Sequence, residues 1–158
     1  MSLMSRKVDY ALLIFAYLDQ RREGGCARKI AERFSLNRGF VANILKDLCR
    51  KGYVASHRGV NGGYVLRRPL EEISLAELME GLDEGFHLAE CTQPPSSGQC
   101  SLLAVCPVKG AIAEVHARIR DVLRGVTLAE VVRPRDPHTS SILGLNLLPP
   151  EKLLAARP

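Results

Sequence analysis

No apolar run in the 158 residues approaches the ~18–20 needed to cross a bilayer, and no export signal opens the chain. A membrane-spanning helix is therefore not expected, and the cytoplasm is the expected compartment. Signatures of turnover are missing as well. No Ser–His–Asp arrangement, phosphate-cradling glycine loop or paired-carboxylate pattern occurs, so the chain does not read as an enzyme. Internal repeats are absent, and so are the short cysteine knuckles favoured by structural zinc. Neither sign of charge dominates, with 22 Lys and Arg against 17 Asp and Glu. A charged fraction of 25% and a hydrophobic fraction of 46% suit one globular domain, alone or with an appendage. Five cysteines without an export signal are not expected to form a disulfide framework, because the cytosol keeps thiols reduced.

The net charge of +5 hides a division. Residues 1–68 hold 14 basic against 5 acidic side chains, a net +9, whereas residues 69–158 hold 8 against 12, a net −4. One half is suited to phosphate and the other to a different task.

Apolar periodicity organises the basic half. Residues 5–21 read as a helix with Ser5 as N-cap, followed by a break at Gly24-Gly25. A short helix over 27–34, the turn Ser35-Leu36-Asn37 and a longer helix to Lys51 make a helix-turn-helix. Asn37 is the expected N-cap of that third helix, Phe40, Val41, Ile44, Leu45 and Leu48 its expected buried face, and Gly52 its left-handed stop. Strand-like 53–57 and 64–66 flank the turn Arg58-Gly59-Val60-Asn61-Gly62-Gly63, which adds a β-hairpin wing. The expected fold is mainly α with a small β-hairpin: a winged helix-turn-helix over 1–68, then a loop and a long dimerisation helix over 69–132. Ser74 caps a fourth helix, a helix runs from about Pro107 to Arg124, and Thr127 opens a last short one to Val132. Val108, Ile112, Val115, Ile119 and Val122 step along the long helix by four, three, four and three, a seam suited to pairing with its own copy. Residues 133–158 hold five of the nine prolines and read as an extended tail.

A recognition helix meets the major groove through its N-terminal residues. Asn37, Arg38, Gly39 and Asn43 occupy that position here, with Lys46 one turn on. Arg38 can pair bidentately with guanine and Asn43 with adenine. Arg28, Lys29, Lys46 and Arg50 are candidates for phosphate. In the wing, Arg58 stands at the base, Asn61 at the tip, and Gly62 and Gly63 allow close approach of backbone to a groove.

Cys26 and Cys49 stand alone and read as small core or boundary residues. Cys91, Cys100 and Cys106 lie within sixteen residues, spaced C-x8-C-x5-C, and three such thiolates suit a soft metal centre.

The segment Lys7-Val8-Asp9-Tyr10-Ala11-Leu12, the wing from Arg58 to Leu66, the segment Ile73-Ser74-Leu75-Ala76-Glu77-Leu78 and the cysteine triplet resemble the Rrf family of bacterial winged-helix regulators. The resemblance runs from about residue 3 to residue 132. It implies a homodimer on a double-stranded DNA operator and an iron–sulfur cluster, 2Fe-2S or 4Fe-4S, held by Cys91, Cys100 and Cys106. Some members complete the cluster with a histidine three residues after the last cysteine, where this chain has Lys109. Others use an aspartate of the first helix donated by the partner subunit, a position that Asp9 matches; His87 and Glu90 compete beside Cys91. The expected function is a transcriptional regulator, a repressor, whose operator affinity follows a cluster sensing nitric oxide, iron, oxygen or cluster status. The alternative is a cluster-free winged-helix factor answering to a metabolite or partner protein.

Overall fold

Ser5 starts the first helix through its hydroxyl oxygen, which accepts the Val8 N–H at 3.3 Å. Helix α1 (Arg6–Asp19) follows. The computed structural model describes residues 4–21, 23–59, 62–82, 85–93 and 100–133. The proposed extended tail beyond Arg133 and the wing-tip Asn61 lie outside these. Helix α2 (Ala27–Phe34) stops at Ser35, whose backbone enters the left-handed region at φ 53°. Leu36 N–H then returns to Ala31 O at 2.9 Å, which closes the tight turn. Asn37 caps helix α3 (Arg38–Arg50) as its sequence position predicts, its Oδ1 accepting the Phe40 N–H at 3.1 Å. Gly52, at φ 80°, turns the chain out of that helix into the wing.

Strands β1 (Val54–His57) and β2 (Gly63–Leu66) pair antiparallel, in a register from Val54 opposite Leu66 to His57 opposite Gly63. Helix α4 (Leu75–Leu82) is capped by Ser74 Oγ, which accepts the Glu77 N–H at 3.1 Å. Helix α5 (Lys109–Gly125) and helix α6 (Leu128–Val132) end the described chain. Thr127 and Glu130 close a capping box at the start of α6. The N–H groups of Leu75 and Leu128 donate to Val126 O and Ile73 O, both at 2.8 Å, so a short backbone ladder clamps the start of α4 to the start of α6.

One core joins these elements. Ile14 and Phe15 of α1, Ile30 of α2, Ile44 and Leu48 of α3, Leu78 of α4 and Leu128 of α6 are all fully buried within it. Helix α1 is its central strut, touching α2, α3, α4, α6 and the wing. Among the described residues no helix is long and apolar enough to cross a membrane.

Two expectations are corrected. Phe40, expected in the buried face of α3, is 38% exposed. At about 100° per residue it points well away from the centre of the Val41–Ile44–Leu45–Leu48 stripe, and it lies over α1 rather than inside the core. The α5 seam also divides. Val108, Val115 and Val122 are exposed, whereas Ile112 is half-buried and Ile119 packs with Leu123 against the protein's own core. Helix α5 leans on α4, and that contact claims the intervening apolar positions.

Candidate nucleic-acid interface and metal-binding segment

Burying Val41, Ile44, Leu45 and Leu48 leaves the opposite side of α3 in solvent, and it carries Gly39, Asn43, Lys46 and Arg50, all exposed. Arg38 is also exposed, on the first turn. The unpaired N–H groups and partial positive charge of the helix start sit on the same turn. Asn37 serves two ends: its carbonyl oxygen is spent on the cap, while its amide hydrogens remain available to an acceptor outside.

The cations differ in freedom. Arg38, Lys46 and Arg58 enter no ion pair among the described residues. Arg28, exposed on α2, faces Glu32 one turn on at 3.8 Å. Arg50 is paired to Asp47, which also receives Lys7 Nζ at 2.6 Å. The hydrogen bond from Lys7 holds the Asp47 carboxyl below its ordinary range, aided by charge from both cations. Lys7 donates in addition to Leu82 O at 3.1 Å. A buttress thus ties α1, α3 and the end of α4 together behind the exposed face.

The wing is tied down in the same fashion. Gly25 N–H donates to Tyr64 O at 3.0 Å and Tyr64 N–H donates to Gly25 O at 2.8 Å, so the segment before α2 acts as a third, one-residue strand. Arg58 projects exposed from the end of β1. Gly62 and Gly63 owe their lack of a side chain to packing within the fold. A Cβ on Gly62 would stand 2.8 Å from His57 O, and one on Gly63 would stand 2.9 Å from Gly25 O. The backbone freedom of the turn is used at Gly59, at φ 125°. All three glycines border the exposed wing.

Cys91 lies in a single 3-10 turn, Glu90–Thr92, while Cys100 and Cys106 bracket the turns that lead into α5. All three are free and half-buried. The donor set suits iron: soft sulfur atoms reachable from solvent on one connected stretch. Within a single chain, the described residues bring no three His, Cys, Asp or Glu side chains together as a metal site. Asp9 sits half-buried in the first turn of α1 and is not gathered with the cysteines. His87, four residues before Cys91, donates from Nδ1 to Thr92 O at 2.9 Å. Its ring stacks on His116 of α5, centroids 6.0 Å apart and planes 10° apart, and Phe86 stacks on the same histidine at 5.4 Å. Burial, then the neighbouring His87 and Arg120, lowers the basicity of His116. These rings fasten the Cys91 turn to the long helix.

The remaining cysteines differ from one another. Cys26 N-caps α2, and the Lys29 N–H, chiefly, lowers its thiol pKa against a smaller opposing effect of burial. Burial raises that of Cys49.

Sequence reasoning missed Tyr10 and Arg6, which line an open cleft of about 700 Å³ with Asn37, Phe40 and Asn43. Nothing local could have placed them there, because the cleft forms only when α1 crosses the start of α3.

Residues 4–134 match the Rrf2 family model, described as an iron-dependent transcriptional regulator. Protein aau3 of Rhizobium meliloti is 29% identical over 143 residues, covering 90% of this chain and 92% of the relative. The HTH-type transcriptional regulator NsrR of Bacillus licheniformis is 25% identical over 142 residues, covering 89% and 98%. Among solved structures, the oxidized form of Staphylococcus aureus CymR superposes with a TM-score of 0.61 at 27% identity, covering 86% of this chain and 99% of that one.

Proposed function

The chain belongs to the Rrf2 family of transcriptional regulators, DNA-binding winged-helix proteins and not enzymes, and from that premise we propose that it binds its operator as a homodimer under the control of an iron–sulfur cluster. The observation that carries the reading is the position of the cysteines: three free, half-buried thiols lie on the stretch that leads into α5, whose outer stripe of Val108, Val115 and Val122 is left uncovered. The family's iron-dependent description points the same way.

The chain's own residues divide the work. Residues 1–68 form the DNA-reading unit. Helix α3 enters the major groove, where Arg38 and Asn43 address base edges and Asn37 and Gly39 set the approach. Arg28, Lys46 and Arg58 take phosphates, with Gly62 and Gly63 shaping the wing. Residues 69–132 form the pairing and sensing unit. A second copy covers the valine stripe of α5, because valines repeating every seven residues on an exposed helix face present the seam along which two helices pair. Cys91, Cys100 and Cys106 would hold the cluster, with Asp9 of the partner as the fourth, oxygen ligand. A bound cluster would supply iron that nitric oxide or oxygen can attack and that iron depletion can remove. Because His87 and His116 fasten the Cys91 turn to α5, a change in how the cysteines are held moves the helix that sets the distance between the two recognition helices. Operator half-sites are then spaced about one helical turn, 34–36 Å, apart.

Anaerobic purification followed by absorption spectroscopy and native mass spectrometry tests this reading. The expected result is a coloured dimer carrying iron and inorganic sulfide, with the colour lost in Cys91→Ala. A colourless, iron-free protein with unchanged operator binding would place the chain with cluster-free regulators.

A further inference from the structure

We infer that Phe40 is a base-reading residue, whose ring meets the C5 methyl group of one thymine in each operator half-site. The inference rests on α3 entering the major groove, as above.

Phe40 is the third residue of α3, on the turn that faces the duplex, and it is 38% exposed. It is a partly exposed aromatic edge on a surface otherwise built from Arg38, Asn43 and Lys46, and burying it against an apolar group of a ligand is favourable. The ring also has an aromatic neighbour. Tyr10 of α1 meets it edge to face, centroids 5.3 Å apart and planes at 85°. The preceding residue, Gly39, adds no side chain beside the ring.

The ring forms one wall of the open cleft of about 700 Å³ whose other lining groups include Arg6, Asn37 and Asn43. These are donors suited to phosphate oxygens and base edges, set beside an apolar wall that Phe40 shares with Tyr10 and Leu36. In the major groove, the only apolar group that a base pair presents is the thymine methyl. The chemistry of the cleft therefore selects a thymine, with the amides of Asn37 and Asn43 and the Arg6 guanidinium for its polar surroundings.

A duplex recovered by selection from a random-sequence pool, with each thymine replaced in turn by uracil, isolates the methyl group without altering any hydrogen bond. Fluorescence anisotropy on the wild-type dimer should show affinity about fourfold weaker at one thymine per half-site, the worth of one buried methyl. Phe40→Ala should bind the thymine and uracil duplexes equally at that position. Because the readout is a ratio on one preparation, partial inactivity of the variant does not distort it, and the wild-type scan needs no variant. Absence of any methyl preference in the wild type would overturn the inference, as would a preference that survives in Phe40→Ala. Failure of the wild type to bind any duplex would instead remove the DNA-reading premise itself.

Discussion

Gly25 and Tyr64 exchange both backbone hydrogen bonds, at 3.0 and 2.8 Å, and so bind the wing to the strand-like residue ahead of α2. The contact leaves no room on the Gly25 side: a Cβ there would stand 2.4 Å from Tyr17 Cε1, inside the core. Gly25→Ala must displace a buried ring or break the bridge. It is expected to destabilise the fold by about 1–3 kcal/mol, the usual range for overpacking. Thermal denaturation followed by circular dichroism measures this, and an unchanged melting temperature would refute it.

Asp47 supplies a pH dependence whose sign is fixed. Its carboxyl is held below the ordinary value, first by the hydrogen bond from Lys7. The stabilisation it contributes is therefore complete above the unfolded value of about 4 and is lost as pH falls through the depressed one. The group is partly exposed, so the effect is about 0.5–1 kcal/mol. Denaturant melts should show Asp47→Asn less stable than the wild type at pH 7, with the two curves converging only as the pH falls through the depressed value. A difference that does not shrink as the pH is lowered below the ordinary carboxylate range would assign the loss to packing.

Cys26 and Cys49 are set apart by their surroundings, one thiol pKa lowered by a helix N-terminus and the other raised by burial. At pH 7 the thiolate is the reacting species. Cys26 should be alkylated by iodoacetamide well ahead of Cys49, and the two rates should meet in denaturant. Peptide mass spectrometry against time reads both rates from one sample, and equal rates in the native protein would contradict the assignment.

The unpaired cations and the base readers should separate in a salt titration. Lys46→Ala and Arg58→Ala should weaken all duplexes to a similar extent and lower the slope of log affinity against log salt by about two units each, one phosphate contact being lost in each half-site of the dimer's operator. Asn43→Ala should leave that slope alone and relax the preference at one base pair, costing about 1–3 kcal/mol there. A changed slope for Asn43→Ala, or an unchanged one for Lys46→Ala, would reverse the roles.

Local signals carried most of the fold. Ser5, Asn37, Ser74 and Thr127 each cap the helix that their sequence position predicts, because a hydroxyl or amide oxygen near the first free N–H groups is a short-range chemical fact. Gly52 ends α3 for an equally local reason. What was not legible depends on residues distant in sequence. The Gly25–Tyr64 bridge and the Ser74–Thr127 bridge have no local signature. Phe40 lies off the centre of the apolar stripe of α3, and only the crossing of α1 brings its ring a neighbour, Tyr10. The α5 valines and isoleucines share one period, and only the packing against α4 separates those facing inward from those left exposed. The cysteine triplet was legible as donor chemistry, whereas the described residues do not gather the three thiols at one point.

Control of operator affinity by iron bound at Cys91, Cys100 and Cys106 is tested most directly by one titration. Anaerobically purified protein is bound to the selected operator duplex while an iron chelator is added, with absorbance and anisotropy recorded together, for the wild type and for the variant with all three cysteines changed to alanine. The account predicts that the chromophore and the operator affinity change in step in the wild type, by about tenfold or more in affinity, and that the colourless variant shows no response. A wild type whose affinity is indifferent to the chelator, or a triple variant that responds as the wild type does, would contradict it.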